Sequence, residues 1–274
     1  MAEPNYDYDE GDLIDPEDPE TNKATLVEHL DELRARILRS ISIVVAGWVA
    51  GWFVQDPVFQ YLEGILKDPS VVPIGVRPPE FVFTDVTQPF FLKLKLSFII
   101  GLIAAGPFVI WQLWGFVRPA LKKNERKALR KVVPFSVFLF LFGVCGAFVI
   151  LKPAVRWFMG FLLDFAGASL LQTPGAFTSF VLKMILAFGI GFQLPVIVWF
   201  LARIGLLTSE VLWKQWRIAL VAIIVFVMML TPGGDVFSNV MLGVPLLLMY
   251  FITIIVIGIG EKKRRARGDE YKFD

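Results

Sequence analysis

The sequence has few of the residue types that build metal, redox and disulfide sites. It contains one cysteine, Cys145, and one histidine, His29. A single cysteine excludes an intrachain disulfide, and because Cys145 lies in an apolar run we expect it to pack as a small residue. The sequence has no Cys/His cluster, no glycine-rich phosphate loop and no internal repeat. We therefore predict that the protein has no metal site and no cofactor.

Positive charge is absent from the first twenty residues, which carry nine Asp and Glu. Charge of one sign and low apolar content predict a disordered acidic tail over residues 1–22. Because a secretory signal would begin with a basic region, we expect the first apolar run to be retained as a membrane helix. At the other end, residues 261–274 contain six Lys and Arg and are predicted to form a basic cytoplasmic tail.

Long apolar runs set the fold class. Hydrophobic residues make up 56% of the chain and the mean hydropathy is +0.64, above the usual 45–50% apolar content of soluble domains. Several runs approach the roughly 20 residues that cross a hydrocarbon core of about 30 Å. We predict an all-α polytopic membrane protein with one six-helix domain over residues 23–260. The predicted spans are 37–54, 96–117, 132–151, 177–202, 218–230 and 236–259.

Local signals refine these boundaries. Thr25 followed by Glu28 resembles a capping box and predicts that the first helix begins there. Asp56-Pro57 is a typical helix start and predicts a separate surface helix after the first span. Residues 81–83 suit an extended segment, and the Pro and Gly content of residues 231–235 predicts a tight turn.

The distribution of Lys and Arg predicts the orientation. Twenty of the 27 cations fall in the N-terminal segment 1–40, the loops 118–131 and 203–217, and the C-terminal tail. Since cytoplasmic loops carry the excess of Lys and Arg, both termini are predicted to face the cytoplasm. Six spans provide the even number that this arrangement requires.

Polar residues inside the spans are scarce, and such residues are usually functional. Gln193 lies in the middle of the fourth span, where it could join two helices by a hydrogen bond or bind a carbonyl freed by Pro195. The spans contain no series of acids or histidines for a proton relay, which argues against an ion-driven transporter, and no catalytic pair, which argues against an enzyme. The prolines within the spans point the other way, because Pro107, Pro195 and Pro245 would break helices as in a transporter. An ion-coupled small-molecule transporter therefore remains the alternative function.

Two carboxylates at the predicted cytoplasmic surface are candidate binding groups. Glu32 precedes the first span, and Glu125 is the single acid among seven cations in the loop 118–131. Each also has a purely structural interpretation. Glu32 could pair with Arg36 four residues later, and Glu125 could compensate its basic neighbours.

Several longer motifs follow one another along the chain. The segment 26–36 reads LVEHLDELRAR, and residues 107–126 read PFVIWQLWGFVRPALKKNER. Residues 188–195 read FGIGFQLP, and residues 230–238 read LTPGGDVFS. Pro89-Phe90-Phe91 with Lys95 adds a further motif. In this order, and over about residues 25–260, the motifs resemble those of the TatC family.

The resemblance implies a receptor and assembly platform for export of folded proteins. It implies six spans with a concave face, no cofactor, twin-arginine signal peptides as ligands and transport powered by the proton-motive force. Expected partners are TatA- and TatB-type single-span subunits, further copies of the chain and the lipid bilayer, but no nucleic acid. Glu32 and Glu125 match the acids that face the twin arginines, and Arg34, Phe116 and Pro119 match their neighbours. Many relatives carry Glu at the position of Gln193.

The fifth span is unusually short. As a helix, residues 218–230 reach about 20 Å, less than the hydrocarbon core. Charged Arg217 and Asp235 flank this run, so sliding the helix to gain length would be costly. We predict a short hairpin of the fifth and sixth helices beside thinned lipid or a partner helix. Val225 and Leu242 are the predicted docking positions for a single-span partner.

Overall fold

The protein structure is a computed structural model that describes residues 19–119, 126–165, 170–230 and 236–265. Side chains are described throughout these ranges except at 19–28, 127–128, 230, 236–238 and 264–265. Four sequence predictions concern residues outside the description: the acidic tail at 1–18, Glu125, the turn at 231–235 and the end of the basic tail at 266–274.

Eight α-helices make up most of the described chain. They are α1 Pro19–Lys67, α2 Gln88–Val117, α3 Arg126–Gly160, α4 Pro174–Gly191, α5 Leu194–Arg203, α6 Ser209–Lys214, α7 Trp216–Leu230 and α8 Val236–Arg265. A one-turn 3-10 helix, Phe161–Asp164, follows α3. Two short strands, β1 Glu80–Phe81 and β2 Leu171–Gln172, pair in parallel with Glu80 opposite Leu171. The predicted extended segment 81–83 thus contributes only its first residue to a strand.

The all-helical membrane class is confirmed, with five helical segments of membrane length and one shorter apolar helix among the described residues. The long segments are His29–Lys67, Gln88–Val117, Leu129–Asp164, Pro174–Arg203 and Asn239–Lys263. The shorter one is Trp216–Met229, within α7. The fourth predicted span consists of two helices, because the chain turns at Phe192 and Gln193 between α4 and α5.

Helix α1 differs most from the sequence prediction. It begins at Pro19 instead of Thr25, and it continues through Pro57 instead of starting anew there. The proline removes one helical hydrogen bond, at a cost of about 3 kcal/mol. Continuing the helix buries Leu62, Ile65 and Leu66. Because each such side chain contributes about 1.5–3 kcal/mol, their burial outweighs the proline.

The predicted domain limits also fall inside helices. The boundary between residues 22 and 23 lies within α1, and α8 continues five residues beyond residue 260 to Arg265. The beginning of the predicted basic tail is therefore an extension of the last membrane helix.

Helices α1 and α2 lie antiparallel and in close contact. A Cβ atom on Gly101 would overlap the backbone of Gly47 and Trp48, and one on Gly51 would overlap the Ser97 carbonyl. Small residues at such a contact allow two membrane helices to approach each other closely. The antiparallel register places the N-terminal part of α1 beside the C-terminal end of α2.

Two clusters of buried apolar residues hold the bundle together. The larger cluster joins the C-terminal half of α1 to α2, α3, α4, α7 and α8, with Leu62, Phe188 and Val227 among its most buried members. The smaller cluster lies near the C-terminal end of α2 and includes Trp114 and Val132. It joins α2 to α3 and α5.

Candidate functional site

Glu32 lies on α1, where Arg36 holds its carboxylate. The Arg36 Nε and Nη2 groups donate hydrogen bonds to Glu32 Oε1 at 2.9 and 2.7 Å. This is the i,i+4 pair that the sequence offered as the structural interpretation. Both groups remain partly accessible, with 32% of the Glu32 side chain and 22% of the Arg36 side chain exposed.

Arg36 also connects α1 to α2. Its Nη1 group donates to Gln112 Oε1 at 3.4 Å. The guanidinium lies against Gly115, where a Cβ atom would overlap it. The sequence analysis did not assign Gln112 or Gly115 to the site, although both fall within the motif 107–126. Their role depends on the register between α1 and α2.

The predicted neighbour Phe116 contacts His29, which lies three residues before Glu32 on α1. Its ring stacks on His29, with centroids 4.5 Å apart and an interplanar angle of 19°. Pro119 lies just beyond the end of α2 and is exposed, as is Arg34 on α1. The structure therefore brings Glu32 and Phe116 to one junction of α1 and α2. The position of Glu125 relative to them stays a prediction.

Gln193 lies at the turn between α4 and α5 and contacts α3. The Ser136 hydroxyl donates a short hydrogen bond to Gln193 Oε1, and Gln193 Nε2 donates to the Ser136 carbonyl at 3.2 Å. Trp114 Nε1 donates to the same hydroxyl at 3.0 Å. The sequence left two hydrogen-bonding roles open for Gln193: joining two helices, or binding a carbonyl freed by Pro195. The structure shows the first, because both bonds of the Gln193 amide go to Ser136 on α3.

One of the two predicted docking positions needs correction. Val225 on α7 is 50% exposed, whereas Leu242 on α8 is 3% exposed and belongs to the larger buried cluster. Leu242 therefore cannot contact a partner helix at the surface. In the first half of α8, exposed apolar residues recur every four positions at Val240, Val244, Leu248 and Ile252.

The described residues offer no metal site. No group of three His, Cys, Asp or Glu side chains lies close enough together in these ranges to hold an ion. The chemistry of the junction is that of an accessible carboxylate beside an aromatic pair, which suits recognition of a guanidinium.

Comparison with known protein families gives a match over most of the chain. Residues 28–245 match the family model described as Sec-independent protein translocase protein (TatC). The chain is 36% identical over 240 residues to the Sec-independent protein translocase protein TatC of Carboxydothermus hydrogenoformans, covering 86% of this chain and 94% of that protein. It is 32% identical over 235 residues to TatCy of Bacillus subtilis, covering 86% of this chain and 89% of that protein.

The fold also matches solved structures. A crystal structure described as the twin-arginine translocase receptor TatC superposes with a TM-score of 0.69 at 31% identity, covering 84% of this chain and 98% of that chain. A second crystal structure of such a receptor, in the detergent DDM, gives a TM-score of 0.71 at 33% identity, with coverages of 84% and 99%.

Proposed function

Since the chain belongs to the TatC family and is a Sec-independent translocase subunit rather than an enzyme, we propose that it binds twin-arginine signal peptides through Glu32 and Glu125. Arg34, Phe116 and Pro119 complete the proposed site. The bound peptide directs a folded cargo protein to the translocase. The chain then acts as the core on which the translocase assembles.

The pairing of Arg36 with Glu32 carries this proposal. Two nitrogens of one guanidinium bind Glu32 Oε1, so the carboxylate can accept a guanidinium in this setting. The Glu32 side chain is also 32% exposed, which gives an incoming arginine access to it. A planar guanidinium can donate two hydrogen bonds at once, which a lysine ammonium cannot reproduce in the same geometry. We propose that a signal-peptide arginine displaces Arg36 from Glu32.

The proposed setting is the plasma membrane with both termini in the cytoplasm. The excess of Lys and Arg at one end of the helices supports this orientation. The proposed partners are TatA- and TatB-type single-span subunits and further copies of the chain. The proton-motive force is the proposed source of energy for transport.

Binding of a twin-arginine peptide to the purified protein tests the site. We expect Glu32→Gln and Glu125→Gln each to weaken binding by about 1.5–3 kcal/mol, the usual contribution of a hydrogen bond to a charged group. Glu63→Gln is the matched control, because Glu63 has 33% of its side chain exposed and pairs with Lys67 four residues later, at the other end of α1. A peptide with Lys-Lys in place of Arg-Arg should bind all forms weakly.

Arg36→Gln distinguishes displacement from simple charge attraction. Removing the competing guanidinium should tighten peptide binding by at most about 1 kcal/mol, the upper range for an accessible ion pair. Weaker binding of this variant would show that Arg36 itself contacts the peptide. If Glu32→Gln and Glu63→Gln bind the Arg-Arg peptide equally, Glu32 is not part of the site.

A further inference from the structure

A large basic cavity lies between α2 and α3, beside the Glu32 junction. Its volume is about 1100 Å³. Four arginines from three helices or their ends line it: Arg36, Arg118, Arg126 and Arg130. Glu32 compensates Arg36, so the positive charge of the cavity comes from the three arginines at the ends of α2 and α3. The proposed signal-peptide site, in contrast, presents carboxylates.

The cavity is polar at one end and apolar at the other. Arg118 follows the last residue of α2, and Arg126 and Arg130 lie in the first turns of α3. Phe108 and Trp111 line the cavity about 10–15 Å further along α2, at 1.5 Å per residue. Val133 and Val137 continue the apolar wall on α3. Because α2 and α3 are membrane helices, the arginines lie towards the interface and the apolar wall towards the hydrocarbon.

The apolar wall opens to the outer surface of the bundle. Phe108 and Trp111 both have exposed side chains, at 61% and 66%. An occupant can therefore extend from the arginines into the lipid-facing surface without crossing the protein. A phospholipid matches this arrangement, because its charged headgroup is followed by apolar acyl chains.

We propose that this cavity binds an anionic phospholipid, with the phosphate among the arginines and the acyl chains against Phe108 and Trp111. Guanidinium groups bind phosphate oxygens in a bidentate manner, and basic pockets between membrane helices suit anionic headgroups. Four guanidiniums disfavour a twin-arginine segment as the occupant. The inference requires only that the chain lies in a membrane, and it does not depend on the proposed peptide site.

Quenching of tryptophan fluorescence by brominated lipid measures this occupancy. The protein is reconstituted in phosphatidylcholine vesicles that contain a fixed minor fraction of phosphatidylglycerol or phosphatidylcholine brominated on its acyl chains. Subtracting the signal of Trp111→Phe isolates the contribution of Trp111. We expect brominated phosphatidylglycerol to quench Trp111 several-fold more effectively than brominated phosphatidylcholine.

Arginine variants assign that preference to the cavity. Arg118→Gln and Arg130→Gln should each lower it about fivefold, from the usual contribution of one basic residue to anionic-lipid binding. Arg130→Lys should retain most of the preference, because the charge remains and the fold is preserved. Arg39→Gln is the matched control: Arg39 is an exposed arginine on α1 that does not line the cavity, and its removal should leave the preference unchanged.

Three outcomes would overturn the proposal. In the first, both brominated lipids quench Trp111 equally in the parent protein. In the second, Arg39→Gln lowers the preference as much as Arg130→Gln, which would indicate attraction to the whole basic surface. In the third, a twin-arginine peptide displaces the brominated lipid in step with its own binding, which would assign the cavity to the peptide.

Discussion

At the residue scale, Gln193 joins the α4–α5 turn to two other helices. The Ser136 hydroxyl donates to Gln193 and accepts from Trp114, so one hydroxyl connects α3 with both neighbours. In the hydrocarbon region these polar groups have no water to replace a lost partner. The network therefore holds α2, α3 and the α4–α5 turn together.

We predict that Gln193→Leu destabilises the protein by about 0.6 kcal/mol and at most by about 1.7 kcal/mol, the average and the largest values for hydrogen bonds between membrane helices. Gln193→Glu should be better tolerated, since its carboxyl group keeps an oxygen for the Ser136 hydroxyl. Thermal unfolding in detergent measures both, with exposed Gln215→Leu as the control.

A double-mutant cycle with Ser136→Ala isolates the interaction. Once Ser136 is alanine, Gln193→Leu should cost less than it does in the parent protein. Strict additivity of the two substitutions would show that the hydrogen bond contributes nothing to stability.

At the scale of elements, α7 is shorter than the hydrocarbon core of a membrane. Its 15 residues reach about 22 Å, compared with roughly 30 Å of hydrocarbon. Trp216 and Arg217 mark its first turn, with the Arg217 guanidinium 5.7 Å from the Trp216 ring centroid. Such residues favour the interface. Because α7 is shorter than the hydrocarbon core, its C-terminal end requires either a locally thinned bilayer or a neighbouring helix that covers it.

Photo-crosslinking tests whether a single-span partner covers this hairpin. A crosslinker at Val225 on α7 or at Val244 on α8 is expected to capture the partner subunit, because both side chains are about half exposed. Buried Leu242 is the control and should yield no partner adduct. Lipid adducts alone, in membranes that contain the partner subunits, would refute the docking prediction.

An ion pair links α3 to the segment that follows α1, on the side opposite the basic loops. Lys152 Nζ on α3 donates to Asp68 Oδ2 at 2.8 Å, just after the end of α1. Hydrogen bonds from Lys152, then from the Ser70 hydroxyl and backbone, hold the pKa of Asp68 well below its ordinary value of 3.8. A lowered pKa in the folded state means that the ionised carboxylate stabilises the fold.

We predict that the stabilisation of the fold by ionised Asp68 is lost at low pH. It should be fully present above about pH 4 and should decline as the pH falls towards the lowered pKa of Asp68. The difference in melting temperature between the parent and Asp68→Asn should therefore shrink on acidification. A difference that stays constant down to pH 2 would show that the ion pair does not contribute through its charge.

At the scale of the whole molecule, the distribution of charge predicts the orientation. Cysteine accessibility measures it in intact cells, in a Cys145→Ala background. Ile74→Cys should react with an impermeant thiol reagent added outside, because Ile74 is fully exposed on the side with few cations. Lys263→Cys at the end of α8 should be protected. Labelling of Lys263→Cys but not of Ile74→Cys would show that the orientation is the opposite of the predicted one.

The candidate site was partly predictable from the sequence. The Glu32–Arg36 pair follows from a spacing of four residues on one helix, which is a local property. The contacts of Arg36 with Gln112 and Gly115 could not be predicted, because they require the register in which α1 packs on α2. The stacking of His29 on Phe116 depends on the same register.

The sequence by itself determined the membrane class, the approximate helical segments and the family, because apolar run length and ordered motifs are properties of the chain alone. Tertiary packing decided three features that local rules predict wrongly or leave open. Burial of Leu62 and its neighbours carries α1 through Pro57, the network around Ser136 assigns a partner to Gln193, and Leu242 lies in the core. Each outcome depends on residues from distant parts of the chain, whose contacts outweigh or select among local preferences.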